Sequence, residues 1–340
     1  MATEVTTEFK AYASGSAQAI GQREELADII TQVDPTETPL HSAMKKGTRN
    51  AISFDWQVQE LAAAGSNAQN EGGAITSFAE MPTDRFQNHM QISRKAYAVS
   101  NTLDAVSTAG RAQESAYQAV QKSLEIRRDV EWTMLHDQVK SLSDPRKAGT
   151  LSSWITNTVL AADFVSGTHN GDGSTLPGAA TDSGSDGIAD AFAAATAEAL
   201  SVAKIDTAMQ AAFEDGGKPS MILLSPTQKK KFSDATESAT GTVSNQINYT
   251  SPQEVTSVGA VSVYLSDFGG IEAVVDRYMP ADRAYLIDPE YVEFVTLPGR
   301  NFATEELSSD GDRVRGYSVC EWSMEVRGPK AHAALYSLSA

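Results

Sequence analysis

The sequence predicts an α+β fold, in which a long helix and a mixed body are followed by a series of strands. This prediction rests on the spacing of the hydrophobic residues along the sequence. Residues 111–142 repeat with a helical period, whereas residues 52–61 and 85–100 alternate apolar and polar side chains. From residue 254 onward the chain consists mainly of strand-like segments. Because helices and strands do not alternate regularly along the chain, α+β is favoured over a parallel α/β sheet.

The composition excludes several classes of protein. The chain has 340 residues, of which 41% are hydrophobic, enough for one large domain or two modest ones. Its formal charge of −17 makes general binding to nucleic acid unfavourable, because phosphate backbones repel it. The single cysteine, Cys320, excludes an intrachain disulfide and is expected to be a small buried residue. No signal-like or membrane-spanning apolar run occurs, so we expect assembly in a reducing cytoplasm and no membrane contact.

The N-terminal segment is predicted to contain one helix followed by an extended crossing. Residues 1–18 are small and polar, and we expect them to be poorly ordered without a partner. Residues 19–33 place their apolar side chains on one stripe, as an amphipathic helix does. Pro35 and Pro39 each restrict the preceding residue, so the chain is expected to run extended from Asp34 to about Leu40.

Two strand-like segments enclose a long connection. In residues 52–61, Phe54 and Trp56 alternate with polar side chains, and residues 85–100 have a similar period. The connection, residues 62–84, is rich in Ala, Gly and Asn. Compact domains rarely contain so long a loop without a use for it. We therefore expect a β-hairpin that stands away from the body.

The clearest helical prediction covers residues 111–142, which would extend about 48 Å at 1.5 Å per residue. Ser107 or Thr108 is the expected N-terminal cap, and Asp144-Pro145 is the expected stop. Residues 163–190 and 233–252 are predicted loops because they are rich in Gly, Ser, Thr, Asn and Asp. The remaining predicted elements are a helix at 200–213, a buried strand at 220–226, a short helix capped by Thr227, and strands at 254–268, 271–279, 284–297, 313–326 and 331–338.

Signatures of catalysis and metal binding are missing. The sequence contains no GxxxxGK[ST], HExxH or GxSxG, and its five histidines are scattered. The acidic loops HNGDGS, DSGSDG and SSDGDR lack the EF-hand register and its bidentate Glu, so turn formation is favoured over calcium binding. The carboxylates Glu305 and Glu306 leave a carboxylate-dependent hydrolase as a remote alternative. We expect no enzyme, no metal and no cofactor.

Eight ordered blocks carry a family resemblance. The first is IITQVDPTETPLHSAMKKG at 29–47, and the others lie at 54–73, 88–111, 114–135, 216–226, 263–280, 284–292 and 308–332. In this order they resemble the major capsid proteins of tailed bacteriophages, in the subgroup where a DPTETP element follows a short N-terminal helix. Each block alone is a weak signal, but together they cover most of the chain.

The resemblance implies the Hong-Kong-97-type capsid fold. Mapped onto this sequence, it implies an N-terminal arm at 1–50, an extended loop at 51–98, a peripheral domain at 99–219 with a spine helix at 111–142 and an inserted loop at 163–190, an axial domain at 220–310, and C-terminal strands at 311–340 that return to the peripheral domain. The implied function is self-assembly into hexamers and pentamers of an icosahedral shell around the double-stranded DNA genome of a tailed phage. An encapsulin-like compartment shell or another phage lattice protein is the alternative.

The resemblance also implies partners and a location. The expected partners are further copies of the chain, a portal, a separate scaffolding protein and, as an optional addition, a decoration protein. A separate scaffold is favoured because only about 18 residues precede the first predicted helix. DNA would be enclosed without sequence-specific binding. The expected location is the virion capsid, assembled in the host bacterial cytoplasm.

Candidate contacts between subunits are charged, proline or aromatic residues of the arm, the loop and the spine helix. In the arm they are Asp34, Pro35, Thr36, Glu37, Pro39, Lys45 and Lys46. In and beside the extended loop they are Trp56, Glu60, Glu71, Arg85 and Arg94. In the spine helix they are Arg128 and Glu131, which an i, i+3 spacing places on one face.

Overall fold

The structure is a computed structural model. It describes residues 34–339, with the exception of 73, 76–77, 79, 107, 109, 160–170, 178–179, 182–190, 193–196 and 240–261. The helix expected at 19–33 lies outside the described residues, as does most of the loops expected at 163–190 and 233–252.

The helices and strands of the described residues follow in chain order. They are α1 (Pro39–Ala43), β1 (Lys45–Thr48), β2 (Ser53–Val58), β3 (Asp84–His89), β4 (Gln91–Ser100), α2 (Asn101–Ala105), α3 (Glu114–Leu135), α4 (Leu151–Trp154), β5 (Asn157–Val159), β6 (Ala180–Thr181), β7 (Ala191–Phe192), α5 (Val202–Glu214), β8 (Met221–Leu224), α6 (Pro226–Ala239), β9 (Val263–Ser266), β10 (Gly269–Val275), β11 (Ala284–Ile287), β12 (Val292–Thr296), β13 (Ala303–Leu307), β14 (Arg313–Val326) and β15 (Ala333–Leu335).

A five-stranded sheet is built around the long strand β14. Strand β4 pairs antiparallel with β14 on one side, while β13 and β12 pair with its first and second halves on the other. Strand β1 extends the sheet by pairing in parallel with β12. Helix α3 packs on this sheet and buries Ile126, Val130 and Met134, which lie one above another at i, i+4 and i+8. They share a core with Phe294 and Trp322.

A six-stranded sheet in the order β5-β15-β11-β8-β10-β9 forms the second layer. Helix α5 places Ile205 and Met209 in a core with Phe232 of α6 and Ile271 of β10. Strand β8 is fully buried, as expected of an apolar run flanked by strands and covered by helices. The predicted strand at 220–226 and helix at 200–213 are therefore confirmed, within two residues at each end.

The spine helix is shorter than the sequence predicts. It runs from Glu114 to Leu135, about 33 Å, rather than over 111–142. At its start, the Asp104 carboxylate accepts the backbone N–H groups of Glu114 and Ser115, at 2.9 and 3.1 Å, and so caps the helix from α2. Beyond its end, the buried carboxylate of Asp137 pairs with the buried Arg283 instead of continuing the helix. Contacts distant in sequence override the helical period at both ends.

The predicted strand over 85–100 divides at Met90 into two strands of different sheets. Strand β3 pairs antiparallel with β2, which confirms the hairpin, whereas β4 joins the five-stranded sheet. Met90 itself is fully buried. We call residues 59–83 the projecting loop. Its described residues form no helix or strand, and each of them is exposed.

Other boundaries also differ from the sequence predictions. The extended crossing ends at Thr38, because Pro39 occupies the first position of α1, where its missing N–H costs nothing. The cap of α6 is Ser225 rather than Thr227, since the Ser225 Oγ accepts the N–H of Gln228 at 3.3 Å and Pro226 begins the helix.

Three strands join a different sheet from the one that the implied domain bounds would give them. Strands β12 and β13 lie within 220–310 but join the sheet of the spine helix. Strand β15 lies within 311–340 but joins the sheet of β8 and β11. The domain bounds stay a prediction. The long strand predicted at 313–326 is confirmed, and Cys320 is buried and free.

Candidate assembly site

The arm, residues 34–48, is fastened to the spine helix by Glu131. Helix α1 has no side-chain cap of its own at Thr38. The N–H of Leu40 donates to Glu131 Oε1 at 2.6 Å, and the N–H of His41 donates to Oε2 at 2.9 Å. A short helix leaves its first N–H groups unpaired. The fully buried Glu131 satisfies two of them across about 90 residues of sequence.

Glu131 shares its buried site with Asp276, and we call these two residues the acid pair. Burial, followed by the neighbouring Asp276, raises the pKa of Glu131 to about 9. Burial also raises the pKa of Asp276. The Asp276 Oδ1 accepts the N–H of Tyr278 at 2.8 Å, and Oδ2 has no donor among the described residues. Two buried carboxyls in contact cannot both ionise, so the pair retains a proton that can bridge them.

Further contacts hold the arm along its own chain. The Tyr278 hydroxyl donates to the carbonyl oxygen of Pro35 at 3.2 Å. Strand β1 adds parallel pairing with β12. The ion pair between Arg128 and Asp34, at 4.0 Å, is largely solvent-exposed and contributes little. The arm from Pro35 to Thr48 is therefore seated on the body of the same subunit.

The base of the hairpin is anchored by aromatic and amide groups. The Trp56 ring lies 5.0 Å from the Trp154 ring, and its Nε1 donates to the carbonyl oxygen of Val326 at 3.0 Å. Asn88 is fully buried, and its Nδ2 donates to the carbonyl oxygens of Met324 at 2.7 Å and Gly149 at 3.2 Å. Its Oδ1 accepts the N–H of Gly149 at 2.9 Å. These contacts fix the direction in which the projecting loop leaves the body.

Two of the candidate contacts between subunits, Trp56 and Glu131, are 8% and 0% exposed within a single chain. A contact with a neighbour through them stays a prediction, and the single chain offers little side-chain surface for it. The expected pair of Arg128 and Glu131 does not form, because each side chain has an arm contact of its own. The alternation of 52–61 already placed Trp56 with Phe54 on an inward face, and this was the better signal.

The other candidates have exposed or partly exposed positions and stay predictions. Lys45 pairs with Glu290, Glu60 with Lys330, and Arg85 with Asp55, all at the surface of the same chain. The remaining candidates, Asp34, Pro35, Thr36, Glu37, Pro39, Lys46, Glu71, Arg94 and Arg128, are exposed or half-buried along the arm, the projecting loop, β4 and α3.

Sequence reasoning missed Asn88 and Asp276. Asn88 follows Phe86 on the inward face of β3, and an amide at an inward position of an alternating strand signals a buried polar anchor. Asp276 comes directly after the strand β10. Burial of a carboxylate is costly unless another group pairs with it or donates a hydrogen bond to it, so its position at the end of this strand indicates a specific partner.

The hydrolase alternative has no support from the geometry. Glu305 and Glu306 are exposed neighbours on β13, and successive side chains of a strand point to opposite faces. Among the described residues, no three His, Cys, Asp or Glu side chains gather as metal ligands would. No helix in the described part of the chain is long and apolar enough to cross a membrane.

Comparison with known proteins identifies the family. The sequence profile of the SU10 major capsid protein family matches residues 2–339. The major capsid protein of Escherichia phage Phieco32 is 26% identical over 342 residues, covering 93% of this chain and 94% of that protein. A chain of the cyanophage A-1(L) capsid has a similar structure, with a TM-score of 0.65 and 12% identity over 94% of this chain and 98% of that chain.

The same fold occurs in compartment shells. A chain of an encapsulin complex from Synechococcus elongatus has a TM-score of 0.56 and 8% identity, over 97% of this chain and 96% of that chain. The expected Hong-Kong-97-type fold is confirmed by these capsid structures, and the profile match distinguishes the phage family from other users of the fold. The chain belongs to the SU10 major capsid protein family and is a structural protein of a phage capsid.

Proposed function

We propose that copies of this chain assemble into hexamers and pentamers, which close into an icosahedral shell around the double-stranded DNA genome of a tailed phage. The observation that carries the proposal is the uncovered projecting loop. Its apolar side chains Leu61, Ile75 and Phe78 are 92%, 76% and 86% exposed. Large apolar side chains grouped on an exposed segment mark a surface for a partner.

A symmetric lattice supplies such a partner from identical copies. Each subunit presents its loop to a neighbour and receives another, so many modest contacts add up to a stable shell. The base of the loop is held by Asn88 and Trp56, which reduces the conformational entropy lost when the loop binds. A pre-positioned loop therefore favours assembly.

The arm offers a second surface for contacts between subunits. Its seat on Glu131 fixes the backbone from Pro35 to Thr48, while Thr36 and Glu37 remain exposed. Exposed polar side chains on a fixed backbone can make contacts with a neighbouring subunit at low entropic cost. These contacts set the orientation of subunits more than they add affinity.

The enclosed genome would be held without specific binding. The net charge of −17 repels phosphate at long range. A weakly interacting wall suits DNA that must later leave the particle. Assembly would take place in the host bacterial cytoplasm on a separate scaffolding protein, with a portal at one vertex and, as an optional addition, a decoration protein.

Removing the apolar surface of the projecting loop tests the proposal. The triple variant Leu61→Ser, Ile75→Ser, Phe78→Ser should keep the thermal stability of the isolated subunit, because these side chains have little contact with their own chain. Its yield of closed particles by negative-stain electron microscopy should fall strongly. Normal particle formation by this variant would contradict the proposed role of the loop.

An encapsulin-like compartment shell has the same fold, but the family match favours the phage capsid. The particle contents separate the two functions. Nuclease-resistant double-stranded DNA in particles from infected cells supports the phage capsid, whereas a protein cargo without DNA supports the compartment.

A further inference from the structure

A cationic pocket lies between the arm and the spine helix. Its volume is about 490 Å³, and its lining includes His41 and Lys46 of the arm, Arg127 of α3, and Phe294 and Phe302. The rings of Phe294 and Phe302 stack with centroids 6.5 Å apart; Phe294 is buried, so the half-buried ring of Phe302 forms the accessible aromatic wall. Among the described residues, no acidic side chain belongs to the lining.

Both cations of the pocket are exposed. Within the part of the chain that the structure describes, neither Lys46 nor Arg127 forms an ion pair, although most other arginines do. The Arg127 guanidinium lies 5.1 Å from the centre of the Phe302 ring. Burial and then the two cations lower the pKa of His41 to about 4, so this imidazole is neutral at pH 7. The pocket therefore favours an anionic group that has an apolar neighbour.

The projecting loop carries groups of this kind. Between residues 59 and 83 the sequence contains three glutamates and no lysine or arginine. Glu60 already pairs with Lys330 at 2.8 Å, and Glu71 is flanked by Asn70 and Gly72. Glu80 differs from both, because the exposed Phe78 and Met81 stand beside it.

We propose that the cationic pocket receives the segment Phe78–Met81 of a second copy of this chain. The Glu80 carboxylate binds between Lys46 and Arg127, and the Phe78 ring packs against the aromatic wall. This inference rests on the proposed shell and names the contact that the loop makes in it. A single contact then neutralises two cations and covers Phe78, which is 86% exposed in the isolated subunit.

A second copy suits the pocket better than nucleic acid does. Two cations on a chain of net charge −17 cannot hold a polyphosphate against long-range repulsion. A carboxylate beside an aromatic ring needs only a local match of charge and shape, which an exposed loop of the same sequence provides.

Charge reversal on each side of the contact tests the inference. Arg127→Glu and Glu80→Arg should each reduce the yield of closed particles by at least about tenfold, because like charges then face each other at every copy of the contact. The double variant should recover most of the yield, since the ion pair is restored with reversed polarity. The matched controls are Lys218→Glu and Glu71→Arg, which change the same charges elsewhere and should keep the yield.

Mixing the two single variants shows whether the contact joins different copies. A mixture of Arg127→Glu and Glu80→Arg subunits should form particles that neither forms alone, because a reversed loop can then meet a reversed pocket. Failure of both the double variant and the mixture, in subunits with normal melting temperatures, would overturn the inference. Wild-type subunits that form no particles would refute the proposed shell itself, whereas wild-type particles with unaffected charge variants would refute the pocket contact alone.

Discussion

Replacing Asn88 with alanine should detach the base of the projecting hairpin from the body. The Asn88 side chain is fully buried and connects β3 with two separate parts of the chain, Gly149 and Met324. Alanine removes all of these bonds and keeps the backbone of β3. The buried N–H of Gly149 then loses the only acceptor that it has among the described residues.

The magnitude follows from the bonds that are lost. A buried donor left without an acceptor costs about 1–3 kcal/mol, and each further hydrogen bond contributes about 1 kcal/mol. The loss of the two bonds from Nδ2, together with the stranded N–H groups of Gly149 and His89, therefore predicts a decrease of about 4–8 kcal/mol in the free energy of unfolding. Domains are typically stable by only about 5–15 kcal/mol, so the variant subunit should be markedly less stable and should assemble poorly.

Urea denaturation of the unassembled subunit, followed by tryptophan fluorescence, measures this effect. The matched control is Asn67→Ala, because Asn67 lies in the exposed projecting loop and bonds only to the neighbouring Gln69 among the described residues. The control should change the free energy of unfolding by less than about 0.5 kcal/mol. A loss below about 1 kcal/mol for Asn88→Ala would refute the reasoning that this amide anchors the hairpin.

Three further predictions concern the acid pair, one glycine and the arm. Because the folded acid pair retains a proton that the unfolded chain releases, subunit stability should decrease as pH rises from about 7 towards about 9, by up to about 1.4 kcal/mol per pH unit. Below about pH 6.5 the histidines His41 and His332, whose pKa is lowered by burial, have the opposite effect, so the test is made above that range. A urea midpoint that rises between about pH 7 and 9 would contradict the assignment. Gly217→Ala should destabilise by about 1–3 kcal/mol, because a Cβ there would lie 2.4 Å from the backbone of Ala331, whereas Gly65→Ala, in open space, should be neutral in the same denaturation assay. Pro35→Gly with Pro39→Gly should reduce particle yield more than it lowers the melting temperature, and equal effects on both would argue against a role of the arm in assembly.

The sequence predicts elements whose period is set by one buried face. The alternation around Trp56 predicted β2, because that strand buries one face against the body, and the strand-like run at Arg313–Val326 predicted β14, whose second half is buried on both faces. The ends of the spine helix could not be predicted in this way. They depend on Asp104 and on the pair of Asp137 with Arg283, which the fold brings together from distant parts of the sequence.

The site was predictable only in outline. The two prolines indicated an ordered, extended arm, and the resemblance gave its role. The partner of the arm could not be found from sequence, because Glu131 looks like a surface carboxylate of an amphipathic helix. Only the fold shows that it binds the N–H groups of Leu40 and His41 from about 90 residues away.

The central claim is that this subunit builds a closed shell in which the projecting loop binds a neighbouring copy. Cryo-electron microscopy of particles formed by the wild-type protein tests it most directly. We predict icosahedral particles in which residues 59–83 of one subunit contact another subunit, with the arm still bound to Glu131 of its own chain. Subunits that stay monomeric under assembly conditions, or particles in which the loop folds back onto its own body, would contradict the claim.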